Sequence, residues 1–191
     1  VGNVQSGQND LGMLDTDIYG SVVVDYAQNS VSFNTLKPTF TDDAFAGRIG
    51  FHAGSFGTYN PSARLDFKLS DRLLLSANAS AHLSKGDFKL PDGLVRTNND
   101  IKQFRGGVDL FGNMSDGEYH LKAYCNSSER GTPGSMTWPS EDRQQDMNAF
   151  VQGSLKKRFS DLYTLHLALK GSYDDIYYTS SWGDSEYGQT D

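Results

Sequence analysis

The chain has 191 residues, a formal net charge of -7, and 37% hydrophobic against 21% charged residues. That balance excludes a chain disordered by composition. The acidic charge argues against a nucleic-acid partner, which needs a basic face. Eleven Phe, ten Tyr and 20 Gly favour β structure with many turns over a helical bundle.

The longest unbroken apolar runs are three residues, such as Val22-Val23-Val24 and Leu73-Leu74-Leu75, whereas a helical span needs about 20. The mean hydropathy of -0.55 reads as soluble on its face, but a barrel carries its apolar residues at every second position and lowers that average. Cys125 is the one cysteine, so no internal disulfide or multi-cysteine metal site can form. No signal peptide is visible and the first residue is Val1, so the chain is expected to begin as a mature form or a fragment.

Residues 1–42 are rich in Gly, Asn, Gln and Asp, with short strand candidates at Ile18–Val24 and Val31–Leu36. Lys37-Pro38 and the acidic pair Asp42-Asp43 follow. The composition then shifts. A strand carrying Phe45, Ile49 and Phe51 leads to a tight hairpin at Gly54-Ser55-Phe56-Gly57.

From there the pattern has period two, the mark of a strand with one apolar and one polar face. Ala63, Leu65, Phe67 and Leu69 alternate with Arg64, Asp66 and Lys68. Leu73, Leu75, Ala77, Ala79, Ala81 and Leu83 alternate with Ser76, Asn78, Ser80, His82 and Ser84. The same holds around Phe104–Leu110, Tyr119–Cys125, Ala149–Leu155 and Tyr163–Tyr173. A strand over 162–173 would run roughly 40 Å, enough to cross a bilayer core when tilted; Leu165 is expected near mid-bilayer. Ser-Asp recurs at 70–71, 115–116 and 160–161, 45 residues apart, each marking a short turn. The other connections, 85–100, 129–146 and 174 onward, are expected to be long polar loops. Short turns at one end and long loops at the other is the outer-membrane barrel arrangement, and Tyr119, Phe159 and Tyr163 near the short turns fit an interfacial girdle. A 45-residue period also fits propeller blades, but a blade needs four short strands where each period here holds two long ones.

Little points to chemistry. His52, His82, His120 and His166 lie far apart without metal-ligand spacing, and the last three fall on the polar face. Arg130-Gly131-Thr132-Pro133-Gly134 lacks the Gly-Lys-Ser/Thr of a phosphate loop. Asn78, Asn113 and Asn126 head N-x-Ser triplets, two in strands and one in a short turn, which disfavours glycosylation. Asp174, Asp175, Asp184 and Glu186 lack the ligand spacing of a calcium loop. No enzyme, metal or cofactor is expected.

Five stretches carry a resemblance: VQSGQNDLGMLDTDIYGSVVV, SVSFNTLKPTF, HAGSFGTYNPSARLDFKLSDR, FGNMSDGEYHLKAYCNSSERGTPGS and FVQGSLKKRFSDLYTLHLALKGSYD. In order and spacing they resemble the TonB-dependent receptors of the bacterial outer membrane, nearest to the cobalamin (vitamin B12) transporter-like members. The resemblance implies an all-β fold: an antiparallel transmembrane β-barrel, partial, with about seven long strands, preceded by the end of a plug domain. Residues 1–42 would be the C-terminal part of the plug and 43–191 the N-terminal barrel strands. Such receptors have a full plug and 22 strands, so the chain is expected to be a fragment cut at both ends.

The resemblance further implies gated uptake of a scarce nutrient: cobalamin, a siderophore or another large ligand. TonB would act through a segment upstream of the chain. Outer-membrane lipid surrounds such a barrel, and a surface lipoprotein is a further partner open to it. Candidate substrate contacts toward the outer end are Tyr124, Arg130, Met136 and Trp138, since Arg and Trp anchor polar, ring-containing ligands. The alternative for that loop is packing on its neighbours alone. Two other readings stay open: a small self-contained barrel of structural or adhesive type, and a soluble β-sandwich binding module.

Overall fold

The computed structural model describes residues 19–25, 30–35, 43–181 and 186–190. Among them every regular element is a strand. β1 (Tyr19–Asp25) and β2 (Ser30–Thr35) form a two-stranded antiparallel sheet of their own. They coincide with the two strand candidates; the plug assignment for the rest of 1–42 lies outside the described residues. The other eight strands make one sheet in chain order: β3 (Phe45–Gly54), β4 (Thr58–Ser70), β5 (Leu73–Ser84), β6 (Ile101–Met114), β7 (Gly117–Gly134), β8 (Pro139–Arg158), β9 (Thr164–Thr179) and β10 (Glu186–Thr190). Every neighbouring pair is antiparallel. The sheet is open: β3 and β10 are its two edges. Seven of its strands are long, and β8 reaches 20 residues, several times the usual length in a globular sheet.

The ladder registers sort the side chains into transverse rows. One face carries Phe45, Phe67, Leu75, Leu110, Leu121, Gly153 and Leu169 in a single row. The next row holds Gly47, Leu65, Ala77, Val108, Ala123, Val151 and Gly171, and the next Ile49, Ala63, Ala79, Gly106, Cys125, Ala149 and Tyr173. No charge interrupts these three rows. Behind the middle row, shifted by one residue, run Arg48, Arg64, Asn78, Gly107, Tyr124, Phe150 and Ser172. Period two therefore holds across the whole sheet, not only along each strand.

Burial is inverted relative to a soluble protein. Ser76, Asp109, Asn126, Asn148 and Asp174, all on the polar face, are buried. Leu74 and Phe150 are the only large apolar side chains buried among the described residues, and both also lie on that face. On the apolar face Ile49 is 86% exposed, Leu169 68% and Val151 63%. A single-layer sheet covers the side chains of one face by curling toward it, so the polar face is the concave one. On β8 the apolar face runs from Lys157 to Met147 and then gives way to Gln145, Arg143 and Glu141. Ten residues span about 34 Å along a strand. Tilted by about 45°, that is close to the apolar band of a membrane barrel, about 25 Å tall.

Four expectations are corrected. The supposed loop 129–146 is mostly ladder: β7 and β8 continue to Gly134 and from Pro139, leaving residues 135–138 as the tip. The segment from 174 likewise continues β9 to Thr179 and returns as β10. The β7–β8 continuation is polar on both faces, and in β9 the unbroken run Ile176-Tyr177-Tyr178 replaces alternation, so the periodic signal vanishes while backbone pairing persists. Asn113 lies in β6 and not in a turn. Leu165 pairs with Lys157, at the turn end of the ladder, so it sits at the rim of the apolar band; Val151 occupies its middle.

Candidate functional site at the loop end of the sheet

The short turns, 71–72, 115–116 and 159–163, all lie at one end of the sheet. At the other end the β5–β6 connection, 85–100, is fixed to both its neighbours. On one side Lys85 N and Gly86 N donate to the carbonyl of Phe56 at 3.1 and 3.2 Å. The Ser84 hydroxyl donates to the same oxygen at 3.3 Å. Phe56 has a φ of 59°, costly for an aromatic residue; the donors on its carbonyl and the edge-on contact of its ring with Phe88 hold it there.

On the other side the loop meets the β7–β8 hairpin. Asn98 Nδ2 donates to the carbonyls of Ser140 at 3.0 Å and Asp142 at 2.8 Å. The Arg143 guanidinium forks onto both carboxylate oxygens of Asp100 at 3.1 and 3.0 Å and reaches Glu129 at 2.8 Å. Arg96 donates to the carbonyls of Gly134 and Ser135 at the hairpin tip. Gly131 lies so close beneath that a Cβ there would meet Asn98 O at 2.3 Å. Asp142 ties in β9 as well: it accepts from the Tyr178 hydroxyl and from Ser181 N and Oγ at 2.6 and 2.8 Å.

These bonds set an acid limit. The Arg143 fork lowers the pKa of Asp100. The Tyr178 hydroxyl and then the Ser181 amide hold Asp142 far below the ordinary carboxylate range; this part of β8 lies beyond the apolar band. A folded-state pKa below the unfolded value gives stability that is complete above roughly pH 4 and lost as pH falls through the depressed value. A spin label at Asp92, in a Cys125→Ser background, should stay immobilised from pH 8 to pH 5 and gain mobility only under more acid conditions. Arg143→Met should make it mobile at neutral pH. Release near pH 6 would assign the clamp to other groups.

The four candidate contacts are spread along one hairpin. Tyr124 lies mid-sheet on the concave face, its ring 5.3 Å from that of Phe150, with Lys170 Nζ 4.7 Å above the Phe150 ring. Arg130 lies about 20 Å further along β7 and pairs with Asp146 at 3.5 Å. Met136 and Trp138 are on the tip, 58% and 68% exposed. Arg130 and the tip thus share the loop end with the clamp, while Tyr124 stands apart on the wall below. Asn98, Asp100, Asp142 and Arg143 carry no local signal in the sequence, because their partners are far away along the chain.

The wall between is a polar network. Gln103 Nε2 donates to Asn126 at 2.8 Å and Arg105 to Gln103 at 2.6 Å. Asn148 donates to Asp174. Toward the short turns His120 Nε2 lies 2.7 Å from Asp109, Lys122 Nζ lies 3.7 Å from the same carboxylate, and Phe111 stacks on the imidazole with ring centroids 4.1 Å apart. Asp174 and Asp175 point to opposite faces; Asp184 and the side chain of Glu186 lie outside the described residues. No group of three or more His, Cys, Asp or Glu among the described residues is placed to hold a metal. No model of a known protein family matches the chain, and no curated protein matches it.

Proposed function

We propose that this chain forms part of the wall of a gated outer-membrane barrel that takes up a scarce nutrient, with its loop end as the capture surface. The observation that carries the membrane part is the inverted sheet: three full rows without a charge on the convex face, and a hydrogen-bonded polar network on the concave one. Such a sheet is unfavourable in water and suited to lipid outside and a polar interior. A soluble β-sandwich would instead pack its apolar face against a second layer, and no second layer covers this face among the described residues. The transport part rests on the resemblance to TonB-dependent receptors, whose TonB partner would act through a segment upstream of the chain. Cobalamin, a siderophore or a similar large nutrient is the ligand class. Tyr124, Arg130, Met136 and Trp138 are its proposed contacts, and the docked loop holds the tip that carries two of them.

The test is binding of cobalamin and of ferric siderophores to the protein in outer-membrane vesicles. Trp138→Ala should weaken binding at least about tenfold, the scale of losing an aromatic anchor, with the folded barrel unchanged by heat-modifiable electrophoresis. Unchanged affinity would remove Trp138 from the site, and no uptake of any such nutrient would end the transport reading. The even strand number favours a second reading, because β3 and β10 are antiparallel and could close on each other into an eight-stranded barrel of structural or adhesive type. Cysteines introduced at Ile49 and Gly188 should not cross-link in a transporter arc and should do so in the small barrel.

A further inference from the structure

We infer that the nutrient captured at the loop end carries an oxyanion, a phosphate ester or a carboxylate, and that Arg130 receives it by turning away from Asp146. The inference rests on the capture reading above and names the charged group that this surface selects.

The site is a block of four polar side chains on the β7–β8 ladder. Arg130 pairs with Gln144 across the strands and Ser128 with Asp146, all four on the concave side. Asp146 is held without the arginine: Gln144 Nε2 donates to its Oδ1 at 2.7 Å, and the Ser128 hydroxyl donates to its Oδ2 at 3.1 Å. Arg130 Nη2 stands 3.5 Å from the same Oδ2, too far for a charge-assisted hydrogen bond. The arginine side chain is 40% exposed, against 22% for the aspartate. Breaking an ion pair is costly when it leaves one partner covered and uncompensated. Here the departing cation is in contact with solvent, and the carboxylate keeps a donor on each oxygen.

The other arginines at this end have structural tasks. Arg143 forks onto Asp100 and reaches Glu129 at 2.8 Å, and Arg96 donates to two carbonyls of the tip. The carboxylates near Arg130 are engaged elsewhere. Glu129 precedes it in the chain and points to the opposite face. Asp142, on the concave side, accepts from Tyr178 and Ser181. The β6 partner of Arg130 is Ile101, whose side chain offers no acceptor. A guanidinium carries five donors in a planar fork, so an arginine that leaves one carboxylate oxygen can grip two oxygens of a phosphate or carboxylate instead. Arg130 lies four residues from Gly134, about 14 Å along the strand, so one large ligand can reach both Arg130 and Trp138.

The test measures binding to the protein in outer-membrane vesicles with two pairs of probes. Cyanocobalamin carries a phosphodiester that cobinamide lacks, and ferric citrate is anionic where ferrioxamine B is cationic. The pair that responds tells a phosphate ester from a carboxylate. Arg130→Gln should weaken binding of the oxyanion-bearing probe about tenfold and leave its counterpart unchanged, and Arg130→Lys should recover part of the loss. Asp146→Asn removes the competing charge and keeps an acceptor for Gln144 and Ser128; it should tighten the same probe about threefold. Heat-modifiable electrophoresis sets all variants to equal folded protein. A pair that only braces the hairpin would give the same sign for both substitutions. Weakening by both, no change by both, or equal loss for both members of a probe pair overturns the inference and leaves the transport reading standing. Binding of none of the four probes by the unaltered protein overturns both.

Discussion

Val151→Arg should destabilise the inserted protein by roughly 2–4 kcal/mol, and Leu165→Arg by no more than about 1 kcal/mol. Both positions are apolar, both lie on the convex face, and they are 63% and 43% exposed. In water the more exposed site would be the more tolerant, and an arginine at either would cost within about 0.5 kcal/mol. In a bilayer the order reverses, because depth and not exposure sets the cost. Val151 sits in the middle row, between Ala123 and Gly171. Leu165 sits beside Lys157 at the rim, where on the proposed membrane reading an arginine would reach the headgroups. Reversible unfolding in urea from lipid vesicles measures both. Equal costs would sink the lipid-facing assignment of this face, and a larger cost at Leu165 would sink the depth assignment.

The same rows show what was legible in the sequence. Between Phe45 and Tyr173 the alternation was readable wherever one face carries apolar side chains and the other polar ones, because only that contrast writes period two into a strand. Above Met147 and Cys125 both faces of β7 and β8 are polar, so Ser127–Gly134 and Pro139–Asp146 looked like loop although their backbones pair residue for residue. Leu73-Leu74-Leu75 shows a different limit. The run itself shows no contrast, and the parity of Ala77, Ala79 and Ala81 is what set Leu73 and Leu75 outward, as the register has them; Leu74 turns inward and is 4% exposed. The clamp was invisible for a further reason. Arg143 and Asp100 are 43 residues apart, and nothing local to either marks the other. Tyr124, Arg130, Met136 and Trp138 were singled out by residue type and their place toward the outer end; residue type carries no depth, and the ladder sets Tyr124 about 20 Å down the wall from Arg130.

Asp109→Ala should cost about 3 kcal/mol, the scale of breaking a covered ion pair. Asp109 is 6% exposed and serves two partners, the His120 imidazole at 2.7 Å and the Lys122 ammonium at 3.7 Å. Removing it leaves the Lys122 ammonium covered and unopposed, the costly half of such an exchange. Phe111 adds to the effect, since its stack on His120 keeps the imidazole turned toward the carboxylate. The companion variant is Asp109→Leu with Lys122→Met, which replaces the pair by apolar groups of similar size and should recover most of the loss. A cost below about 1 kcal/mol for Asp109→Ala would mean that water screens the group as it does an exposed pair, and that the concave face is a wetted channel lining down to its short-turn end. A full cost with recovery in the double variant would mean that the curl of the sheet alone keeps this end dry. The path of a polar solute along the wall would then have to lie toward Arg64 and Arg105 and away from Asp109, since a covered, fully paired carboxylate offers it no hydrogen bonds.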